Sequence, residues 1–210
     1  MSFVFRDRLL YKQGDDAARQ RALKTSQQMD EMARAFGHTI IADFATSKYI
    51  DEKLHRATTA AVAMLAGIPS LTAELSSSYT PARATIAAGV AGLRNVLRWA
   101  GMLHGQKEPI TGIRVIDPGY PVRRRSVARV THACIVHHFV EAGDLVKVGD
   151  PLVEMRDQWG RSLGIIQSEY EGFVISIPPG VVCYPGESTV LLAIRDDEPL
   201  VGEYPADYFN

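Results

Sequence analysis

The sequence contains no run of about 18 apolar residues, so it holds no stretch that reads as a membrane span. It also lacks a charge excess of either sign. With 23 Lys and Arg against 24 Asp and Glu, the formal net charge is -1, and no global basic field points to nucleic acid or an anionic membrane surface. Cysteine is scarce: Cys134 and Cys183 stand in apolar, strand-like contexts, too far apart in sequence to suggest a disulfide framework, and buried free thiols are expected. The opening residues, Met1-Ser2-Phe3-Val4-Phe5-Arg6-Asp7-Arg8, place charges where a secretory leader would carry its apolar core, so a cytoplasmic protein is expected. No Gly-x-Gly-x-x-Gly, Walker loop or Gly-x-Ser-x-Gly elbow occurs, which removes the commonest signatures of dinucleotide binding, nucleotide hydrolysis and serine-elbow hydrolysis.

What is present is an ordinary globular composition, 46% hydrophobic and 22% charged over 210 residues, enough for one large domain or two small ones. Phe3-Val4-Phe5 reads as a strand entering a domain already in progress. From Asp15 to Phe36, the residues Ala18, Ala22, Met29, Met32, Ala33 and Phe36 recur at helical spacing. Asp15 and Asp16 suit the positive end of that helix, and Gly37 its termination. His38 to Phe44 reads as a short buried strand, and a second helix is expected from Asp51 through Leu54, Ala57, Ala61 and Leu65 to Gly67. A strand from Ile68 to Leu75 follows, with Leu71, Ala73 and Leu75 on one face and Thr72 and Glu74 on the other. Thr80-Pro81 launches a third helix through Ile86, Val90, Leu93, Val96 and Leu97 to Gly101. Strands separated by helices imply a parallel sheet, and so few strands imply part of a larger α/β unit.

Beyond the polar linker Gly105-Gln106-Lys107-Glu108-Pro109 the helical period disappears, and short alternating runs broken by glycine and proline describe a β-sandwich or barrel. The expected domains are therefore 1–106, an α/β part; 107–196, a β domain; and 197–210, an acidic C-terminal strap or tail. Glu141-Ala-Gly-Asp-Leu-Val-Lys-Val-Gly-Asp and Val182-Cys-Tyr-Pro-Gly-Glu resemble the paired glycine turns of the barrel-sandwich hybrid in biotinyl and lipoyl carriers. Ser168-Glu169-Tyr170-Glu171-Gly172, at the carrier hairpin, has no lysine, which argues against a swinging arm.

Glu74 is the acid that needs a reason: it is either a structural carboxylate satisfied by a neighbour or a general base at the end of a strand, where open α/β sheets place their chemistry. His138 and Glu141 fit a His-x-x-Glu spacing, but on a strand that pair diverges and cannot close on one ion. His38, His55, His104 and His132 read as surface or hydrogen-bonded residues. Ser76-Ser77-Ser78 has no assignable histidine partner, and Arg123-Arg124-Arg125 reads as a solvated connection.

In order, Ala33-Arg-Ala-Phe-Gly, Ala66-Gly-Ile-Pro-Ser-Leu-Thr-Ala-Glu-Leu, Ala88-Gly-Val-Ala-Gly-Leu-Arg-Asn-Val-Leu-Arg-Trp-Ala-Gly-Met-Leu and Gly143-Asp-Leu-Val-Lys-Val-Gly-Asp resemble the C-terminal half of the succinylglutamate desuccinylase/aspartoacylase family. Members are carboxypeptidase-like zinc amidohydrolases with an appended β domain, and the likeness runs from about Asp15 to Ile194. It implies an incomplete carboxypeptidase-like parallel α/β sheet followed by a barrel-sandwich-hybrid-like β domain. It also implies a small N-acyl amino acid-like substrate, and Glu74 as general base, from its place in a Thr-x-Glu-Leu phrase. Zinc is expected for the complete family enzyme. The family's metal ligands and its substrate-binding arginine lie upstream of the matched region, so no metal ligand is assigned to this chain. The resemblance thus implies a missing N-terminal half, or a homo-oligomer, as partner. A non-catalytic binding or assembly module, or one half of a split enzyme, is the alternative. Ser76-Ser77-Ser78 departs from the glycines that commonly follow the family's glutamate.

Overall fold

Asp15 opens the longest helix as the sequence suggests: its carboxylate accepts from the Ala18 amide at 2.8 Å, relieving one of the unpaired first-turn donors. At the other end Gly37 adopts φ 84°, a left-handed residue that closes helix α1 (Asp16–Phe36). The buried stripe of α1 is Thr25, Met29, Met32, Ala33 and Phe36. This helix is the crossover between strands β1 (Phe3–Arg6) and β3 (Thr39–Ala42), which pair in parallel; β2 (Leu9–Tyr11) lies between β1 and α1 in sequence. The computed structural model describes residues 1–57, 59–75, 82–206 and 208. These form an α/β unit, chiefly Ser2–Leu75, Ala82–Pro121 and the segment from Asp196 onward, and a β unit, Val122–Arg195.

Three expectations for the α/β unit are corrected. The helix expected from Asp51 is three short ones, α2 (Thr46–Asp51), α3 (Leu54–Ala57) and α4 (Ala60–Ala66), with Asp51 closing the first. Lys53 at φ 57° breaks the path after α2. The Thr59 hydroxyl before α4 turns to Asp7 rather than capping its own helix. The strand expected from Ile68 shrinks to β4 (Thr72–Glu74), as Pro69 brings no amide to a ladder. It runs antiparallel to β1, with Ala73 opposite Val4, so the sheet order β4-β1-β3 is mixed rather than parallel.

Helix α5 (Arg83–Trp99) lies where expected, while its proposed start at Thr80-Pro81 falls outside the described residues. Its inward face is not the large apolar set: Ala88, Gly89, Ala91, Gly92 and Asn95 are buried, while Ile86, Val90 and Leu93 are exposed. The reason is close approach. A methyl group on Gly92 would come within 2.7 Å of the Phe36 ring, so α1 reaches α5 only over a glycine. Val4, Ala33 and Phe36, with Leu71, Ala73 and Val96, form the core between that helix pair and the sheet. The run Gly105–Pro109 is held against α5, with the Glu108 amide donating to Asn95 at 2.7 Å and Arg98 donating to the Glu108 carboxylate at 2.7 Å.

The final segment carries β13 (Val201–Glu203), paired in parallel with β2. Arg8, fully buried, fastens it: Nε donates to the Phe44 carbonyl at 2.7 Å, Nη1 to the Pro199 carbonyl at 3.2 Å and Nη2 to Asp196 at 2.8 Å.

The β unit is two antiparallel sheets, with β5 (Val122–Arg129), β12 (Ser188–Arg195), β10 (Gly172–Ser176) and β7 (Leu145–Val146) adjacent in that order in one. The other runs β11 (Val182–Cys183), β6 (Cys134–His138), β8 (Pro151–Arg156), β9 (Ser162–Gln167). Residues of both, among them Val127, Val136, Leu152, Val174 and Leu192, share one core. Arg123, Arg124 and Arg125, expected in a solvated connection, are ladder residues of β5 opposite Ile194, Ala193 and Leu192. The whole is a mixed α/β fold, and no helix among the described residues is long and apolar enough to cross a membrane.

Candidate active site

The β4-β1-β3 sheet has two different faces because directly opposed residues share a face and neighbours alternate. Val4 and Ala73 face the α1/α5 core. Phe3 and Phe5 point the other way, packed edge to face at 5.1 Å, and their partners across the ladder are Glu74 and Thr72. Glu74 therefore sits on the face away from α1 and α5, as the last residue of β4, and is exposed to solvent. Ser76, Ser77 and Ser78, which follow it, lie outside the described residues.

A polar chain leads from the end of β1 to this strand. Asp7, buried just past β1, accepts from the Tyr49 hydroxyl at 3.3 Å and from the Thr59 hydroxyl at 3.0 Å. Thr59 Oγ1 lies 3.3 Å from Thr72 Oγ1, and Ser70 donates to the Thr59 carbonyl at 2.9 Å. Strand ends are where an α/β sheet leaves backbone groups for ligands and functional side chains, and this network fixes the strand that carries Glu74. Sequence reasoning missed Asp7, Tyr49 and Thr59. Asp7 looked like one more charge in a charged opening, and it stands more than forty positions from the other two.

Of the lone histidines, His104 and His132 are exposed and His55 is hydrogen-bonded, as expected, whereas His38 is neither. His38 is only 3% exposed, stands edge on to Phe36 with centroids 4.6 Å apart, and has no hydrogen-bond partner for either ring nitrogen among the described residues. Burial pushes its pKa down to about 4. His55 is buried too, with Nε2 2.7 Å from the Tyr208 hydroxyl, and burial lowers its pKa. His138 ends β6 with Nε2 3.0 Å from the Thr189 carbonyl. Glu141 lies in the following turn, its amide donating to Asp144. Among the described residues no three His, Cys, Asp or Glu side chains converge as an ion would require. The zinc implied by the family resemblance thus finds no fitting ligand set in these residues. Within the β unit, Arg125 donates to the Tyr170 hydroxyl at 3.0 Å and lies over its ring, so this member of the arginine run has a structural role.

No family model and no curated protein matches the sequence. Solved structures do match in fold. A succinylglutamate desuccinylase/aspartoacylase from Rhodobacter sphaeroides superposes with a TM-score of 0.67 at 15% identity, over 93% of this chain and 54% of its own. The product-bound ectoine utilization protein EutE (DoeB) from Ruegeria pomeroyi gives 0.65 at 16% identity, over 92% and 53%. A succinylglutamate desuccinylase from Silicibacter sp. TM1040 gives 0.62 at 16%, over 93% and 54%. This chain spans about half the length of the structures it matches. What it shares with succinylglutamate desuccinylase/aspartoacylase structures is their fold, along nearly all of its own residues.

Proposed function

We propose that this chain is the portion of a deacylase acting on N-acyl amino acids or similar small amides that carries the general base, Glu74, on an α/β sheet followed by a barrel-sandwich-hybrid β domain. The supporting observation is the placement of Glu74: an exposed carboxylate at the end of β4, beside Phe3, on a strand tied down through Thr72, Thr59 and Asp7. A carboxylate so placed accepts the proton of a water attacking the amide carbonyl and passes it to the departing amine. The metal chemistry of the complete family enzyme belongs to residues outside this chain, and the role of Glu74 is confined to carrying that proton. In the complete enzyme Glu74→Gln is expected to lower kcat by about 10²–10⁴ with the fold unchanged. Near-normal turnover in that variant removes Glu74 from the role. The isolated chain is expected to release no amine from N-acetyl or N-succinyl amino acids.

One observation favours a second reading, a binding or assembly module. Ile86, Val90 and Leu93 recur along one exposed face of α5, beside a groove of about 460 Å³ lined by Ala87, Val90, Ala91, Arg94, Glu108 and Thr111. Light scattering distinguishes the two: a monomer that binds no apolar dye counts against an exposed assembly face.

A further inference from the structure

Cys134 and Cys183 are the chain's only cysteines, and the fold brings them face to face. Cys134 begins β6, Cys183 ends β11, and each is the other's register partner across an antiparallel pair. Both face the same core, where they are 5% and 7% exposed, while their neighbours Ile135 and Val182 point outward. Both are free thiols.

The hydrogen-bond phase of this ladder sets the geometry. The Val136 amide donates to the Val181 carbonyl at 2.8 Å, which makes 136/181 a hydrogen-bonded pair; alternation makes 135/182 the open pair and 134/183 hydrogen-bonded again. Opposed residues at such a site have Cα atoms about 5.5 Å apart, inside the range a disulfide spans, with Cβ atoms somewhat wider than it prefers. Closing the gap needs a small displacement of one strand. β11 has the shorter ladder to displace: it is two residues long and lies at the edge of its sheet.

We propose that Cys134 and Cys183 form a reversible intramolecular disulfide that latches β11 onto β6. The oxidant is a low-molecular-weight disulfide. The thiolate of one cysteine attacks a sulfur of that disulfide, a mixed disulfide forms and one small thiolate leaves. The second cysteine, as thiolate, then attacks the protein sulfur of the mixed disulfide, the Sγ–Sγ bond forms and the second small thiolate leaves. Two protein thiols are oxidised, one small disulfide is reduced to two thiols, and the two protons go to solvent or to the departing thiolates. Burial pushes both thiols above their ordinary range, and Cys183 is raised further by Cys134 and Glu187, so the bond forms slowly. A bond closed at a hydrogen-bonded site is strained, and strained disulfides are the readily reduced ones.

The test uses the full folded chain, incubated with oxidised glutathione, then unfolded, alkylated with iodoacetamide and weighed intact. The expected product is a monomer lighter by two hydrogens that takes no label, and dithiothreitol restores both labelling sites. The Cys134→Ser and Cys183→Ser variants should each stop at one bound glutathione, the other sulfur being absent. Should a variant fail to fold, the wild-type mass alone decides. Two labels per chain after prolonged incubation, two retained glutathiones, or a covalent dimer on a non-reducing gel would each overturn the proposal.

Discussion

His38 carries a cost that depends on pH. Its folded pKa lies at about 4, below the ordinary 6.5, so between those values the unfolded chain holds a proton that the folded one does not. Stability is therefore full above about pH 6.5 and falls as the pH drops toward 4, by up to about 3 kcal/mol. Replacing His38 with Leu should flatten that acid limb in denaturant titrations run at several pH values. If the limb persists unchanged, its origin lies in other groups. Two glycines predict a contrast in unfolding free energy. A Cβ on Gly172 would stand 2.1 Å from the Ala193 carbonyl oxygen, which belongs to the neighbouring strand's backbone and cannot turn aside. A Cβ on Gly92 would stand 2.7 Å from the ring of Phe36, a buried side chain that can yield only by shifting within its core. Gly172→Ala should thus cost about 3 kcal/mol or more and Gly92→Ala less, about 1–3 kcal/mol, as read by urea unfolding.

Among the elements, those whose ends are written in local chemistry could be read from sequence. The Asp15 cap and the left-handed Gly37 bracket α1 as the residues suggest, and the turns flanking β8 and β9 fall at glycine and proline positions. Strand direction could not be read. The alternation that makes Ala73 and Leu71 apolar looks identical in a parallel and an antiparallel ladder, and the choice made for β4 depends on β1, far away in sequence. The stretch after Ala42 failed for a different reason: helical spacing continues across Lys53, and nothing local warns that this lysine takes a left-handed conformation. Of the candidate site, the face carrying Glu74 was legible from period two alone, whereas Asp7 and Tyr49 needed the tertiary fold. The strap from Asp196 onward is held by a buried cation as well as by its pairing with β2. Arg8→Met takes the guanidinium away from the buried Asp196 carboxylate, and a loss of about 3–5 kcal/mol is expected. Arg8→Met with Asp196→Leu should recover much of it, since a buried pair removed together leaves no charge behind. Equal losses in the single and double variants would show that the Arg8 bonds to Phe44 and Pro199 matter more.

At the scale of the molecule, the β unit has a core of its own drawn from both of its sheets, and the segment Val122–Arg195 is continuous in sequence. Expressed alone, it should fold with dispersed amide resonances and a cooperative melt. A collapsed spectrum would mean that its core is insufficient by itself. The α/β unit, in contrast, is assembled from separated stretches, which is why no sequence window could reveal its extent. Where the two meet in the chain, β5 and β12 pair Val122 with Arg195, and just outside them the Asp196 amide donates to the Pro121 carbonyl at 2.9 Å. The chain therefore enters the segment Val122–Arg195 and leaves it at neighbouring positions, each side of the crossing closed by its own backbone pairing. Bringing distant chain ends together ordinarily costs entropy that grows with the length between them, but here the ladder itself holds them, so that length hardly matters. A lineage could lengthen the turns of the β unit without parting Pro121 from Asp196.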